Sequence, residues 1–560
     1  MARRISTVGV VGLGTMGAGI VEVLARGGLE VIGVESSEEL AERGRGILQA
    51  STDRAVSKGK LDEAGQQQVL DRITVTTRLD DLARVDLVVE AVPEVMELKH
   101  EVFGALDGIV GEDAILASNT SSLSITEIAA GTARPERVVG MHFFNPAPIL
   151  KLVEVVTTLR TDPDVAGAVR GLVQDLGKRP VVIGDRAGFV VNYLLFGYLN
   201  SAIRMLEHGH VGREDLDTAM RVGAGLPMGP MTLMDLIGLD VCDHIGDVIF
   251  GHSRSPVHAP SAMLQQTVTA GRLGRKTGRG FYSYERPGSG TLVQDELTPA
   301  PAGDSVPLDA VGVVGAGPLA EELVTRFEDA GYAVTHLTDA AGDLSALGSV
   351  GLVVEAQEEG EDPGAEETGG PATVRDVDDL FAELGEVTSA GTVLATANTY
   401  SGVALAAISG RTEDTVVLRV HAPTAHGQVI EVGRTQVTSE HTLSALRQVI
   451  GRIGAEAVVC KDRTGLVVDA LLVAYLNDAV RMLDEGYAGV ADIDTAIQHG
   501  LGYPMGPFAM IDHIGADEVL AIAEELSSGT SGCQPHLAPS PLLIEHVLLD
   551  LPFTGGAGRA

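Results

Sequence analysis

Three stretches carry side chains able to move a proton: Ser121 in SNTSS, His142 in GMHFFNP and Glu154 in KLVEVV. An imidazole is suited to taking a hydroxyl proton near neutral pH. A Pro-containing turn, NPAP, separates His142 from Glu154, so two adjacent extended segments are expected to bring the carboxylate against the ring. A carboxylate placed there fixes the tautomer of an imidazole and favours its charged form. Singly, His142 and Ser121 are each compatible with a structural role, and only the set points to chemistry.

A second group points to a phosphate-bearing ligand. GLGTMG supplies Gly12, Gly14 and Gly17 between an apolar run and a helical stretch. In such a motif the first glycine makes the tight turn, the second admits a pyrophosphate to the backbone, and the third lets helix and strand pack closely. Glu35 closes the next apolar run, where a carboxylate accepts ribose hydroxyls and repels a 2'-phosphate, favouring NAD over NADP. The stretch DLVVEAVPEVMELKH reads as a strand entering a helix and puts Glu94 and Lys99 at the crevice end of an open sheet.

The elements that must position these groups follow from periodicity. Short β-branched runs alternate with helical stretches up to about Gly188, the pattern of a parallel sheet with crossover helices. From there apolar residues recur at three- and four-residue spacing, as in an all-helical region. The pattern then repeats: STVGVVGLGTMGAGI returns as DAVGVVGAGPLAEEL, and GLPMGPMTLMDLIGLD as GYPMGPFAMIDHIGAD. The chain therefore reads as an α/β Rossmann-type domain followed by an all-α domain, duplicated in tandem. The expected boundaries are 1–185 and 186–285 for the first copy, a Pro/Gly/acid-rich linker at 286–308, and 309–461 and 462–560 for the second. A helical hairpin is expected at 47–73.

Composition narrows the class. A net charge of −37 over 560 residues argues against a nucleic-acid partner, because no basic stripe opposes it. Cys242, Cys460 and Cys533 lie too far apart for a disulfide scaffold or a paired-cysteine metal site, so no metal is expected and a reducing, cytoplasmic setting is. The apolar run after MARR is broken by glycines and reads as a first strand, not a leader. No apolar stretch reaches the length of a membrane helix.

Together GLGTMGAGI, ASNTSSLSITEIA, GMHFFNPAPILKLVEVV, GFVVNYLL, GAGLPMGPMTLMDLIGLD and GRKTGRGFY resemble the 3-hydroxyacyl-CoA dehydrogenase family in order and spacing, over residues 5–284. The resemblance implies oxidation of an (S)-3-hydroxyacyl-CoA by NAD. It implies His142 as general base, Glu154 orienting it, Ser121 bonding the reacting oxygen, and Asn192 holding substrate and histidine in place. It implies cofactor contacts from Gly12, Gly14, Gly17, Glu35, Glu94, Lys99, Asn145 and Lys276, with Glu35 departing from the family's usual Asp. It also implies that the hairpin contacts CoA, through Ser51, Arg54 and Lys58. The acyl chain is not legible; 3-hydroxybutyryl-CoA is the first expectation and 3-hydroxyadipyl-CoA the alternative.

The second copy reads as degenerate. Alignment by letters sets Tyr400 of NTYS against Ser121, Asp469 against Asn192 and Thr338 against Glu35, while His421 and Glu431 survive at a shorter spacing. Its glycine motif continues as Gly315, Gly317 and Ala320, the hairpin is missing, and the tract EEGEDPGAEETGGPA reads as a disordered loop. Family members pair through the helical region, so the second copy is expected to act as an internal dimer partner, with further oligomerisation open. Two other readings compete. β-Hydroxyacid dehydrogenases need a lysine before Asn192 that is absent here, and a non-catalytic NAD-binding scaffold predicts decay in both copies.

Overall fold

Valine- and isoleucine-rich runs have little access to helix and pack well on pleated surfaces, and in the computed structural model they form the strands of two sheets. The structure describes residues 5–299, 308–357, 375–528 and 537–555. The first unit runs β1 Thr7–Val11, α1 Thr15–Arg26, β2 Glu30–Val34, α2 Glu38–Ser57, α3 Glu63–Asp71, β3 Ile73–Thr76, β4 Leu87–Glu90, α4 Met96–Ile109, β5 Ile115–Ser118, α5 Ile125–Ala130, β6 Val138–Phe143, β7 Leu152–Thr157, α6 Pro163–Asp175 and β8 Arg179–Gly184. Its strand order is β3-β2-β1-β4-β5-β6-β7-β8. The hairpin expected at 47–73 is α2 with α3, but its first helix starts earlier, where Ser37 caps the Leu40 N–H and Glu38 and Glu39 complement the helix dipole.

One departure from a parallel sheet matters for the site. β7 runs antiparallel to β6, and β8 is parallel to β7. The turn between β6 and β7 is too short for a crossover helix, so the chain can only reverse. Lys178 braces this turn, donating to the carbonyls of Ala147 and Leu150 at 2.7 and 2.6 Å.

The helical part comprises α7 Val191–Glu207, α8 Arg213–Thr218, α9 Pro230–Ile237, α10 Leu239–Ser253 and α11 Ala262–Thr269, followed by a ribbon of β9 Ser283–Tyr284 and β10 Leu292–Val293. The stretch expected as a linker, 286–308, is in part held against this domain: β10 pairs with β9, and Asp295 accepts from the Arg213 guanidinium. An ion pair with a nearly buried arginine outweighs chain entropy there.

The second unit repeats the plan with β11 Ala310–Val314, α12 Pro318–Asp329, β12 Ala333–Leu337, β13 Leu352–Glu355, α13 Val377–Val387, β14 Val393–Thr396, α14 Gly402–Ser409, β15 Thr415–Val420, β16 Val429–Arg434, α15 Glu440–Arg452 and β17 Glu456–Lys461. The helices α16 Val468–Asp484, α17 Val490–Gly500, α18 Pro507–Ile514, α19 Ala516–Ser528 and α20 Pro541–Leu548 follow. Among the described residues its sheet has seven strands, because nothing equivalent to α2, α3 and β3 lies between β12 and β13. The acidic tract expected as a disordered loop, and Cys533, lie outside the described residues.

The two helical parts share one hydrophobic core. Equivalent positions on α7 and α16 meet: Tyr198 and Tyr475 stack edge-on with centroids 6.2 Å apart. Gly500 packs on Leu152 and Val191, and the matching Gly223 packs on Val429 and Val468. Each helical part therefore packs on the sheet of the other copy, and the two contacts are related by a pseudo-two-fold.

Candidate functional site

Antiparallel pairing of β6 and β7 puts His142 directly opposite Glu154. Nδ1 of the ring lies 2.7 Å from Glu154 Oε2, and the carboxylate is wholly buried. Its other oxygen accepts the N–H groups of Val190 and Val191, both at 3.1 Å, at the opening turn of α7. A carboxylate only accepts, so the proton of the pair sits on Nδ1. That leaves Nε2, without a partner among the described residues, as the basic atom, in a ring flanked by Phe144 and Phe189.

The same helix start holds the serine loop. Asn192 Nδ2 donates to the Ser121 carbonyl at 3.2 Å, while Asn119 Oδ1 accepts the Phe143 N–H at 2.9 Å, beside His142. From the other side Glu94 Oε1 accepts the Ser121 N–H at 2.9 Å and the Thr120 hydroxyl at 2.6 Å, with Ser121 Oγ at 3.3 Å. Burial opposes ionisation of Glu94, but Lys99 and the bonds from Thr120 and Ser121 outweigh it and keep its carboxyl below the ordinary range. Lys99 itself is buried, 2.8 Å from Glu90 and 3.3 Å from Glu94. The structure thus places Lys99, expected among the cofactor contacts, behind Glu94. Glu90, which also accepts from Ser118 Oγ at 2.6 Å, is a buried anchor; its signal in the sequence is a carboxylate ending an otherwise apolar strand.

The glycine loop has the form that a pyrophosphate needs. Gly12 has φ +92°, and a Cβ there would meet the Ala91 carbonyl oxygen at 2.7 Å. A Cβ at Gly17 would meet the Gly12 carbonyl oxygen at 1.8 Å, whereas one at Gly14 would meet nothing within 4 Å. The two packed glycines make the turn and the close approach of α1, and the open one faces the space a ligand would enter. The α1 N-terminus has no side-chain cap, so its N–H groups are available to an anion. These residues fit a dinucleotide.

Glu35 does more than end β2. Its extra methylene, relative to Asp, carries Oε1 to the Leu13 N–H at 2.7 Å, tying it to the glycine loop while lone pairs remain for a ribose. Glu35→Gln keeps an acceptor for Leu13 and removes the charge, so discrimination against NADPH relative to NADH is expected to fall by about tenfold. Unchanged discrimination in steady-state assays with both cofactors would show that this carboxylate does not read the ribose.

Asn145 is exposed at the turn after β6. Lys276 lies in the helical part, paired with Asp240, and among the described residues no hydrogen bond or ion pair ties it to the glycine loop. On α2, Ser51 is half-buried, while Arg54 and Lys58 are exposed at its C-terminal end with no carboxylate partner among the described residues.

Strand register corrects two matches made by letters. In the second copy the residue opposite Glu431 is Arg419, not His421. Arg419 stands from Glu431 at the interval of His142 from Glu154, so His421 matches Phe144 and the apparent shortening disappears. Its guanidinium pairs with Asp469 at 3.0 Å, at the position of Asn192. His421, two residues along and hence on the same face, reaches Glu431 through Nε2 at 2.7 Å. The NTYS loop is also out of step. The Ala397 N–H bonds the end of β13 as the Asn119 N–H bonds the end of β4, so Asn398 matches Thr120, and Tyr400 does not occupy the Ser121 position. Counted from its C-terminus, α13 puts Val377 where Lys99 stands, and the Asn398 amide, 3.0 Å from Glu355, replaces the ammonium. Ala320 stands where Gly17 stands, and the loop has changed accordingly, with φ +105° at Gly317 against −63° at Gly14.

Comparison with known proteins agrees with this plan. Residues 7–186 and 375–463 match the 3-hydroxyacyl-CoA dehydrogenase NAD-binding domain, and residues 188–284 and 465–552 match the C-terminal domain of the same name. A 3-hydroxybutyryl-CoA dehydrogenase of Mycobacterium tuberculosis is 49% identical over 286 residues, 51% of this chain and 100% of that protein. A 3-hydroxyadipyl-CoA dehydrogenase of Escherichia coli K12 is 29% identical over 556 residues, 98% of this chain and 99% of its own. The crystal structure of a 3-hydroxybutyryl-CoA dehydrogenase from E. coli K12 superposes with a TM-score of 0.74 at 28% identity, covering 98% of this chain and 99% of the other.

Proposed function

Because the chain belongs to the 3-hydroxyacyl-CoA dehydrogenase family, we propose that its first copy interconverts short-chain (S)-3-hydroxyacyl-CoA and 3-oxoacyl-CoA, with 3-hydroxybutyryl-CoA as the main substrate. We further propose that the second copy, counted from about residue 309, has kept the fold and lost the chemistry. NAD, when bound at Gly12, Gly14, Gly17 and Glu35, supplies the hydride acceptor of the family reaction. The remaining work belongs to side chains. Nε2 of His142 takes the proton of the substrate 3-hydroxyl, and Glu154 stabilises the resulting imidazolium. Ser121 Oγ turns from Glu94 to donate to the reacting oxygen, and Asn192 holds the loop that carries it. Arg54 and Lys58 are free to meet CoA phosphates, with Ser51 nearby.

The observation that carries this reading is the opposition of His142 and Glu154, with the second carboxylate oxygen locked by α7. In the second copy an Arg419–Asp469 ion pair fills that place. A guanidinium is charged at any working pH and cannot act as a base. The inert copy then serves as an internal dimer partner, supported by the Tyr198–Tyr475 contact. A second reading, 3-hydroxyadipyl-CoA as substrate, is favoured by the name of the relative that spans both copies.

One set of measurements tests all of this: NADH-linked turnover of acetoacetyl-CoA, oxidation of 3-hydroxyadipyl-CoA, and calorimetric NADH stoichiometry, on the full chain and on Arg419→Ala. One NADH per chain and turnover within roughly twofold of the parent in Arg419→Ala are expected for a variant outside the working site. Two NADH per chain, or loss of turnover, would mean that the second copy works. A higher kcat/KM for the dicarboxylic substrate would favour the second reading.

A further inference from the structure

The pseudo-two-fold relation between α7 and α16 generates two matching cavities between the copies, and their charges differ. One, of about 420 Å³, is lined by Arg186 and Arg481 together with Glu485 and Asp478. Its cations are neutralised: Arg186 pairs with Glu485 at 2.8 Å and Arg481 with Asp478 at 2.9 Å. The other, of about 370 Å³, is lined by Arg204, His208, His210, Lys461 and Arg463, with no carboxylate in its wall among the described residues.

The equivalences are positional. Arg463 corresponds to Arg186 and Arg204 to Arg481, but Ser201 and His208 stand where Asp478 and Glu485 stand, and Lys461 stands in place of Gly184. The counter-ions have been removed and a cation added. Arg204 donates to the Pro256 and Ala259 carbonyls, Lys461 to the His208 carbonyl at 3.0 Å, and Arg463 to the Asp462 carbonyl. None of the three has a carboxylate within 4 Å among the described residues. Neighbouring carboxylates are already used, Glu207 by Ser261 and Met263, and Asp462 by the Val403 N–H. The cations also crowd a titratable neighbour: burial first, then Arg463 and Lys461, hold His210 below the ordinary histidine range despite its bond to the Leu466 carbonyl.

In a chain of net charge −37, three unpaired cations gathered at one cavity run against the protein's overall field. Leaving like charges together costs free energy that an anion would recover. The cavity is large enough for a small molecule, and Leu471 and Leu526 give it an apolar wall. Arginine forks with a lysine point charge match phosphate oxygens.

We propose that this cavity binds a small organic phosphate, its charged group held by Arg204, Lys461 and Arg463 and its apolar body resting on Leu471 and Leu526. None of its lining residues belongs to the glycine loop or to the His142–Glu154 pair, and they come from the junction of the two copies. It gives the second copy a use that does not require a reaction there.

The test is calorimetric titration of the full chain with inorganic pyrophosphate and with phenyl phosphate, at saturating NADH and CoA so that the phosphate-binding positions of the first copy are filled. One pyrophosphate per chain is expected, with affinity falling as salt rises. Phenyl phosphate is expected to compete for the same site. Ser201→Asp/His208→Glu, which copies the charges of the neutral cavity, and Lys461→Gln are each expected to weaken binding about tenfold or more. Both should leave turnover of acetoacetyl-CoA unchanged, which reports that the variants are folded. No binding to the parent, binding displaced by NADH or CoA, or equal affinity in a folded variant would each overturn the proposal.

Discussion

Replacing His142 with alanine is expected to lower the turnover number by about 10²- to 10⁴-fold, the range for removal of a positioned general base, with NADH affinity unchanged. The expectation rests on geometry. Nε2 is the one ring nitrogen left to accept a proton, because Nδ1 donates to a buried carboxylate that can only accept. Glu154→Gln tests the same point more sharply. Its amide oxygen would take over the N–H groups of Val190 and Val191, turning the NH2 toward Nδ1. The imidazole would then have to accept at Nδ1 and carry its proton on Nε2, which is the wrong tautomer for a base. Losses comparable to those of His142→Ala are therefore expected although the shape is preserved. Most of the parent turnover surviving in both variants, at saturating NAD and 3-hydroxybutyryl-CoA, would show that the proton goes elsewhere.

The largest expected effect on stability comes from Lys99→Met. Lys99 is 1% exposed and lies between Glu90, which is wholly buried, and Glu94. Removing one partner of a buried pair leaves an uncompensated charge and costs roughly 3–5 kcal/mol. The second copy shows how the fold manages without the lysine. Val377 stands in its place, the Asn398 amide bonds Glu355 instead, and burial pushes the Glu355 carboxyl above its usual range despite the bonds from Thr396 and Asn398. Lys99→Met/Glu90→Gln is accordingly expected to recover more than half of the loss. The sign with pH follows from Glu94, whose folded pKa lies below its unfolded value: its contribution is present above the ordinary carboxylate range and disappears as pH falls through the lowered value. The denaturant midpoint for release of NADH, measured at neutral and acidic pH, checks both statements. A Lys99→Met midpoint equal to that of the parent would mean that the buried triad is not ionised as described.

Much of the candidate site is legible in the sequence. GLGTMG between an apolar run and a helical stretch announced a strand, a turn and a helix N-terminus, because only glycine tolerates φ +92° at Gly12 and the contact at Gly17. The interval between His142 and Glu154, broken by NPAP, announced a reversal of the chain. The tandem copy was legible because whole motifs recur in order. The errors have a common origin. Matching NTYS to NTSS, and His421 to His142, followed letters, whereas the strands count positions. One residue fewer in the loop before α14 moves Tyr400 off the Ser121 position, and a slip of two residues along β15 exchanges a histidine for Arg419. That part of the linker is held against the helical domain was not legible, because the arginine that binds Asp295 lies far away in sequence.

By itself, then, the sequence determined the elements, their order, the duplication and the residues able to do chemistry, since periodicity, turn residues and glycine spacing act over a few residues. Tertiary structure alone decided that Arg419 faces Glu431, where Lys99 is buried, and that the two junction cavities differ in charge. Those outcomes depend on hydrogen-bond register and on contacts between segments far apart in the chain, and local propensities carry no information about either.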